Sequence, residues 1–214
     1  MKNIVWAICG LFFVGLAQAS ELGSSSALVQ LQHEWAHINY EVPDKQKEEA
    51  FKALVAKAHA WSIKYADKPE PLVWEAIIKS TYAGAKGGFG ALSLMEEARD
   101  LLLKAEKIDA TILNGAIYTS LGSFYYMTPG WPIGFGDDDT ALEYLNKGLR
   151  IAPNDMDANY FAGDYWFEEK EYKKAVEYFQ KVIDLPDVET RPVYSKGRKV
   201  EAAVKLKKAQ KRMH

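Results

Sequence analysis

The residues of this chain that could most directly carry out chemistry are His33, Glu34 and His37, which form the pattern His-Glu-x-x-His. On a helix, histidines four positions apart share a face, so their neutral imidazoles could bind zinc while Glu34 serves as general base. A small zinc-dependent hydrolase is therefore one hypothesis. No third ligand has a persuasive spacing, and little sequence precedes the motif to build a cleft. The alternative, which the sequence favours, buries Trp35 and Ile38 and leaves both histidines at the rim.

Three consecutive aspartates at positions 137–139 are a second candidate. They could hold calcium, but the segment lacks the glycine and the distant glutamate of a calcium loop. Helix capping is the simpler interpretation, because one carboxylate can accept from free backbone N–H groups while the others complement the positive helix start. Thr140 and Glu143 add a possible capping box.

The C-terminal segment, residues 196–214, contains eight Lys and Arg residues and a single acid, Glu201. It could touch anionic lipid or an acidic partner, although a polar-backed helix that closes a helical repeat array is the simpler interpretation. Elsewhere the sequence offers no Ser/His/Asp or Cys/His set and no phosphate-binding loop. It therefore predicts no catalytic residue, no metal and no cofactor.

The N-terminus has the features of an export signal. Lys2 precedes an apolar run over residues 4–16, and Ala17-Gln18-Ala19 forms a cleavage site. The run is shorter than the roughly 20 residues that span a bilayer. We expect residues 1–19 to be removed, which also removes Cys9, the only cysteine.

The remaining residues, 20–214, are expected to form one soluble domain without stable membrane insertion. Without Lys2 the chain has 26 Lys and Arg residues against 29 Asp and Glu residues. This balance provides no general footprint for nucleic acid.

A repeat indicates how these residues are organised. Three anchor residues recur 33 or 34 positions later, so that Ala141, Leu145 and Pro153 return as Ala175, Phe179 and Pro186. This period is typical of the tetratricopeptide repeat (TPR), a helical hairpin that stacks on its neighbours into a curved array with a binding surface. No strand-like alternation is visible. The sequence therefore predicts an all-α, TPR-like α–α superhelix.

Apolar spacing divides the domain into about four hairpins and a C-terminal capping helix. A degenerate first hairpin combines residues 27–40 with a helix that begins near Pro43 and Asp44, and residues 68–71 end that second helix. The other three hairpins align by first-helix anchors that start at Trp74, Tyr118 and Asn159, and by second-helix anchors that start at Ala98, Ala141 and Ala175.

Two of these hairpins carry insertions of 8 and 7 residues between their anchors, and both insertions contain Gly-Phe-Gly, at residues 88–90 and 134–136. Glycines on both sides of a phenylalanine allow unusual backbone angles, so that the ring can be presented or tucked in. Long loops in compact folds are often functional. The alternative is that each phenylalanine fills a gap between neighbouring loops.

The strings STYAGAKGG, from Ser80, and PGWPIGFGD, from Pro129, together with residues 159–161 and 191–192, resemble a family of exported bacterial TPR proteins. That family is similar in layout to the TPR-like periplasmic component that accompanies some TRAP transporters, and more distantly to eukaryotic regulators of microtubule dynamics. The resemblance implies a periplasmic helical scaffold with no known catalysis, and His-Glu-x-x-His is not part of the family pattern.

The expected function is thus a non-enzymatic binding or scaffold protein that could serve a transporter or an envelope complex. Its partner would be a protein, a peptide or a small organic ligand, and it could form oligomers through its loop aromatics. The first helix of each hairpin is expected to line the concave side, with two loop aromatics closing over one end. The predicted binding residues are Glu75, Lys79, Tyr82, Thr119, Ser123, Tyr126, Tyr160, Asp164 and Phe167 on the helices, and Trp131 and Phe135 on the loop.

Overall fold

The computed structural model describes residues 9–213, without the side chains of residues 9–24 and of Phe89. Of the predicted signal peptide, residues 1–8 thus lie outside the described residues, and the rest begins the first helix. The described chain forms nine α-helices: α1 (Cys9–Tyr40), α2 (Asp44–Lys64), α3 (Pro69–Lys86), α4 (Phe89–Ile108), α5 (Ile112–Met127), α6 (Asp138–Ile151), α7 (Met156–Glu168), α8 (Tyr172–Asp184) and α9 (Pro192–Arg212). Between residues 9 and 213 no helix has the length and apolarity needed to cross a bilayer.

Consecutive helices pack in pairs, α1 with α2, α3 with α4, α5 with α6 and α7 with α8, and α9 packs on the last pair. The described residues contain no β-strand; one isolated bridge joins Gly130 to Gly136. This is the all-α superhelix of four hairpins and a closing helix that the sequence predicts.

Equivalent positions of the repeat make equivalent contacts. Gly122 of α5 lies against Leu145 of α6, and a Cβ atom on Gly122 would lie 2.7 Å from the Leu145 Cγ. One repeat later, a Cβ on Gly163 would lie 3.0 Å from the Phe179 ring. The two outer-helix anchors, Leu145 and Phe179, are both buried. The small residue of the first helix and the bulky residue of the second thus set the helix separation in both hairpins.

The two insertions differ in structure. In the first, α3 continues to Lys86 and α4 begins at Phe89, so only Gly87 and Gly88 link them, with φ angles of 63° and 65°. These left-handed angles favour glycine. The expected long loop is therefore absent here, because the extra residues extend both helices. The second insertion is a loop, in which Phe135 tucks in 5.4 Å from the Tyr125 ring.

The aspartates at positions 137–139 include a helix cap, as expected. The Asp137 side chain accepts a hydrogen bond from the Thr140 backbone N–H at 2.7 Å at the start of α6. The capping-box prediction is wrong, because Thr140 already lies inside the helix and Glu143 pairs with Lys147 at 2.7 Å.

The closing helix α9 also contacts α1, which the sequence analysis did not anticipate. Gly197 of α9 lies directly against the Tyr40 ring, and the Tyr40 hydroxyl donates to Glu201 at 3.2 Å. Further along, the Trp35 and Tyr194 rings lie 6.4 Å apart. The first and last helices therefore meet, and the superhelix closes on itself.

Candidate functional site

Closure of the superhelix encloses a central cavity of about 730 Å³. Its wall comes from α1, α3, α5, α7 and α9, with a contribution from the first turns of α4. The first helix of each hairpin thus lines the interior, as the repeat predicts, and α9 completes the wall. Exposed lining residues mark where the cavity opens to solvent, at Gly84, Gly88, Asn114, Met127 and Pro129.

The inner and outer helices have different burial patterns. The outer helix α8 buries Ala175, Phe179 and Val182, which form one stripe at helical spacing. The inner helix α5 is buried at consecutive positions from Ile117 to Phe124 except at Tyr118, which is half-buried. A helix buried on successive residues is covered on more than one face. One side of α5 therefore contacts its hairpin partner while another lines the cavity.

One part of the wall is apolar and aromatic. Trp35 of α1 and Trp74 of α3 meet edge to face, with ring centroids 6.2 Å apart. The indole N–H of Trp35 donates to the Thr81 hydroxyl at 2.9 Å, which fixes the ring against α3. Ile77 and Phe124 extend this surface. Such a wall can hold an apolar ligand body by contact and by displacement of water.

A group of hydroxyls also faces the cavity: Ser80, Thr81, Thr119, Ser120, Ser123 and Thr128. Ser123 donates to the Ser120 carbonyl at 2.8 Å, and Ser80 donates to the Ile77 carbonyl at 2.9 Å. A hydroxyl that donates to its own helix keeps lone pairs that can accept from a ligand. The buried Thr128 hydroxyl has no hydrogen-bond partner within residues 9–213.

The guanidinium of Arg198, in α9, is buried in the cavity wall, and neighbouring carboxylates compensate its charge. Its Nη1 donates to Glu201 at 2.7 Å, and its Nε forms an ion pair with Asp157 at 2.8 Å. The guanidinium lies 4.3 Å from the Tyr160 ring centroid. Although burial disfavours the charge, Asp157, the Tyr40 hydroxyl and Glu201 hold the pKa of Arg198 well above its usual value. This group therefore joins α7 to α9.

Arg191 and Asp155 also line the cavity, at the starts of α9 and α7. Arg191 stacks 4.0 Å from the Tyr194 ring centroid, and its Nε is buried without a hydrogen-bond partner in the described chain. Asp155 caps α7 by accepting from the Ala158 N–H at 2.9 Å. Burial, and next the charge of Asp157, raise the pKa of Asp155 to about 6.

Of the eleven predicted binding residues, Thr119 and Ser123 line this cavity. On α3 the lining positions are Trp74, Ile77, Thr81 and Gly84. The predicted α3 face is thus rotated by one position, about 100° around the helix. The rotation arises because α1 and α2 both pack on α3 and divide its surface between them.

The other predicted helix residues lie within the helix packing. Glu75 is buried beside Ser62 and His59 of α2, and Lys79 lies between Glu75 and Glu97, at 3.3 and 2.7 Å. The remaining five take part in buried or half-buried side-chain contacts: Tyr82, Tyr126, Tyr160, Asp164 and Phe167.

The two predicted loop aromatics have opposite environments. Trp131 is 90% exposed. Phe135 packs edge to face on Tyr125, and the Arg99 guanidinium lies 4.5 Å from its ring centroid. Phe135 therefore packs inward as the alternative expects, but between the helices α4 and α5 and not between neighbouring loops, while Trp131 projects from the loop.

The charged cavity residues of the C-terminal segment could not be placed from the sequence, in which this basic segment is consistent with a closing helix or with a surface for anionic lipid or an acidic partner. Arg191, Arg198 and Glu201 reach the interior only because α9 packs beside α1. Trp35 was expected to be buried, and it is, but its place in the cavity wall depends on the same contact. The run of buried small and polar residues in α5 is the one sequence signal that pointed to a lined interior.

The His-Glu-x-x-His side chains have separate partners. His33 Nε2 lies 2.8 Å from the Thr190 carbonyl, His37 pairs with Glu41 at 2.7 Å, and Glu34 pairs with Lys57 at 2.5 Å. Trp35 and Ile38 are buried while both histidines are exposed, which confirms the structural interpretation of the segment. Among the described residues no group of three His, Cys, Asp or Glu side chains could hold a metal ion.

Comparison with known proteins adds no assignment, since no protein-family model and no curated protein matches this chain.

Proposed function

We propose that this chain is a non-enzymatic binding protein that holds a small organic ligand in its central cavity. The observation that carries the proposal is the cavity of about 730 Å³ between the inner helices. Ligand sites are typically clefts of roughly 300–1,000 Å³ with mostly apolar walls and a few placed polar groups. The aromatic wall, the hydroxyls and the two arginines have this composition.

The closed superhelix favours a small ligand over a protein partner inside the array. TPR-like arrays bind peptides along an open concave face, whereas here α9 meets α1 and covers that face. A ligand that fits between the inner helices is compatible with the closure. A protein partner would contact the outer surface instead, for example at the exposed Trp131.

The cellular setting is part of the proposal. The export pattern in residues 1–19 and the resemblance to exported bacterial TPR proteins support a periplasmic binding protein. In that compartment a ligand-loaded protein could serve a transporter or an envelope complex. This setting is compatible with the absence of cysteine after Ala19.

The experiment is a titration of the purified protein with N-phenyl-1-naphthylamine, a neutral probe that fluoresces in apolar sites. We expect saturable binding that Ser120→Phe weakens at least tenfold, because the added ring occupies the cavity. Ser93→Phe, at an exposed position of α4, is the matched control and should bind the probe like the wild type.

A milder filling variant, Ala116→Leu, covers the case in which Ser120→Phe does not fold. Circular dichroism melting establishes which variants are folded. Absence of saturable probe binding to the wild type, or equal binding by a folded filling variant, would contradict the proposal.

A further inference from the structure

Arg191 is held in place by its backbone and by aromatic rings. Its N–H donates to the Val188 carbonyl at 2.8 Å, and its own carbonyl accepts from the Ser195 N–H at 3.0 Å. The guanidinium stacks between two rings, 4.0 Å from the Tyr194 centroid and 5.5 Å from the Trp74 centroid. Stacking orients the guanidinium plane without using its N–H donors.

Those donors have no acceptor within the part of the chain that the structure describes. Arg191 forms no side-chain hydrogen bond or ion pair among residues 9–213, and its Nε is buried. A guanidinium offers five N–H donors in a fork that matches the oxygens of a carboxylate, sulfonate or phosphate. Arg191 therefore presents unused donors to the cavity that it lines.

The second arginine of the cavity differs in this respect. Arg198 contacts both Asp157 and Glu201, at 2.8 and 2.7 Å, so its charge is already compensated. Asp157 is likewise occupied by this contact. Of these two cavity-lining cations, only Arg191 forms no ion pair with a described side chain, although its charge interacts with that of Asp155.

Asp155 also lines the cavity, and its charge interacts with that of Arg191. The charge of Arg191 lowers the pKa of Asp155, but burial and Asp157 raise it further, to about 6. As pH falls below neutrality Asp155 takes up a proton, which removes a negative charge from the cavity wall. A bound anion would thus meet less repulsion at mildly acidic pH.

From these contacts we infer that the cavity selects ligands with one oxyanion head group on an apolar body, and that Arg191 binds the head group. This inference rests on the proposed binding function and deepens it. The head group fits the free guanidinium, and the body fits the wall that begins at Trp74 and Trp35. The hydroxyls of Ser120 and Ser123 are available to form hydrogen bonds with further polar atoms of the ligand.

The test compares two probes that differ by a single sulfonate group. N-Phenyl-1-naphthylamine is neutral, and 8-anilinonaphthalene-1-sulfonate carries a sulfonate on the same ring system. We expect Arg191→Gln to weaken binding of the sulfonate at least tenfold and to leave the neutral probe within twofold. Lys196→Gln, which removes a charge from an exposed position of the same helix, should change neither affinity.

Equal loss of both probes in Arg191→Gln would overturn the inference, since it would indicate a damaged cavity and not a lost charge contact. Unchanged sulfonate binding would overturn it as well. Failure of the proposed function is distinguishable, because in that case the neutral probe does not bind the wild type in the cavity.

A second arm tests the opposing acid. We expect sulfonate binding by the wild type to strengthen as pH falls from 7.5 to 5.5, and Asp155→Asn to bind at pH 7.5 as the wild type does at pH 5.5. Asparagine is also a good N-cap, so α7 keeps its start. Weaker sulfonate binding by Asp155→Asn would count against the inference.

A third arm identifies the body of the ligand. cis-Parinaric acid has a carboxylate on an aliphatic chain, and its methyl ester has a neutral head group on the same chain. Preference for the acid, lost in Arg191→Gln, would support a fatty-acid-like ligand. Preference for the aromatic sulfonate alone would support an aromatic anion, and preference for neither anion would overturn the inference.

Discussion

Glu75 is a buried acid with three polar neighbours, and we expect its side chain to stabilise the fold. Its side chain is 1% exposed. It accepts from the Ser62 hydroxyl, lies 2.9 Å from His59 Nδ1 and lies 3.3 Å from the Lys79 ammonium. A buried carboxylate depends on such partners, because the interior offers no water to solvate it. The group therefore ties α3 to α2.

We expect Glu75→Ala to lower the free energy of unfolding by about 2–4 kcal/mol, because it leaves the Ser62 hydroxyl and the Lys79 ammonium without a buried partner. Urea denaturation measures the change. Glu97→Ala is the control: it removes the half-exposed second partner of Lys79 and should cost less than about 1 kcal/mol. Equal losses in the two variants would show that burial of Glu75 is not what matters.

The raised pKa of Asp155 leads us to expect that the stability of the fold depends on pH. The folded state raises its pKa from 3.8 to about 6, chiefly by burial and next through Asp157. Between these values the folded chain keeps a proton that the unfolded chain has released, so this group's contribution to stability falls as pH rises from about 4 to about 6.

We expect Asp155→Asn to remove this contribution while it retains the cap on α7. The measurement is the unfolding free energy of both proteins at several pH values. The unfolding free energy of the wild type, relative to that of Asp155→Asn, should fall as pH rises. A difference that does not change with pH would contradict the raised pKa of Asp155.

The His-Glu-x-x-His segment predicts an outcome for metal analysis. His33 lies against the Thr190 carbonyl and His37 against Glu41, so the two rings have separate partners. We expect substoichiometric zinc in the purified protein and the same content in His33→Ala. Stoichiometric zinc that is lost in His33→Ala would restore the hydrolase hypothesis.

At the scale of the helices, close approach at glycine sets the geometry of the hairpins. A Cβ on Gly122 would lie 2.7 Å from the Leu145 Cγ and 3.0 Å from the Leu145 backbone nitrogen. Because backbone atoms cannot rotate away as a side chain can, an added methyl group must separate α5 from α6. The inner wall of the cavity is built on α5, so the hairpin contact also positions Ser120 and Ser123.

We expect Gly122→Ala to lower the free energy of unfolding by about 1–3 kcal/mol through this overpacking. Gly84→Ala is the matched control in α3, where a Cβ would meet nothing within 4 Å. There the gain in helix propensity should leave stability unchanged or raise it by up to about 1 kcal/mol. Thermal unfolding compares the two, and equal melting temperatures would refute the close-approach account.

At the scale of the whole molecule, closure of α9 on α1 converts a curved array into a container. The contact is built from rings and small residues, with the Tyr40 ring against Gly197 and Trp35 beside Tyr194. Around it, the Arg198–Asp157 ion pair connects α7 and α9. A ligand could therefore enter only through the exposed openings or by separation of these two helices.

We expect Gly197→Val to destabilise the chain by about 1–3 kcal/mol and to weaken probe binding severalfold, because any Cβ overlaps the Tyr40 ring. Ala203→Val, at an exposed site of α9, controls for the helix propensity of valine and should cost less than about 1 kcal/mol. Denaturation and the neutral-probe titration provide both readouts.

A double variant isolates the closure contact. Tyr40→Ala should relieve part of the cost of Gly197→Val, so that the two effects are less than additive. Additive losses would show that the ring and the glycine do not interact, and the closure would then have another basis.

The fold class and the pairing of the helices could be predicted from the sequence, because they depend on local patterns, whereas the link between α3 and α4 is shorter than expected. The burial of Ala141, Leu145, Ala175 and Phe179 follows from their spacing, since a hairpin must cover these apolar residues whatever its neighbours are. The capping role of Asp137 is equally local, whereas Pro69 and Pro71, which were expected to end α2, lie in the first turn of α3 because α2 already ends at Lys64. Export, the binding function and the periplasmic location remain predictions.

The interior of the site was decided by tertiary structure. Of the predicted binding residues Thr119 and Ser123 reach the cavity. Its arginines, Arg191 and Arg198, lie at the start of α9 and within it, and this helix was expected to close the array or to touch anionic lipid or an acidic partner. The contact between α1 and α9 brings Trp35, Arg198 and Glu201 around one cavity. That contact joins residues more than 150 positions apart, as between Tyr40 and Glu201, so no local period of the sequence records it.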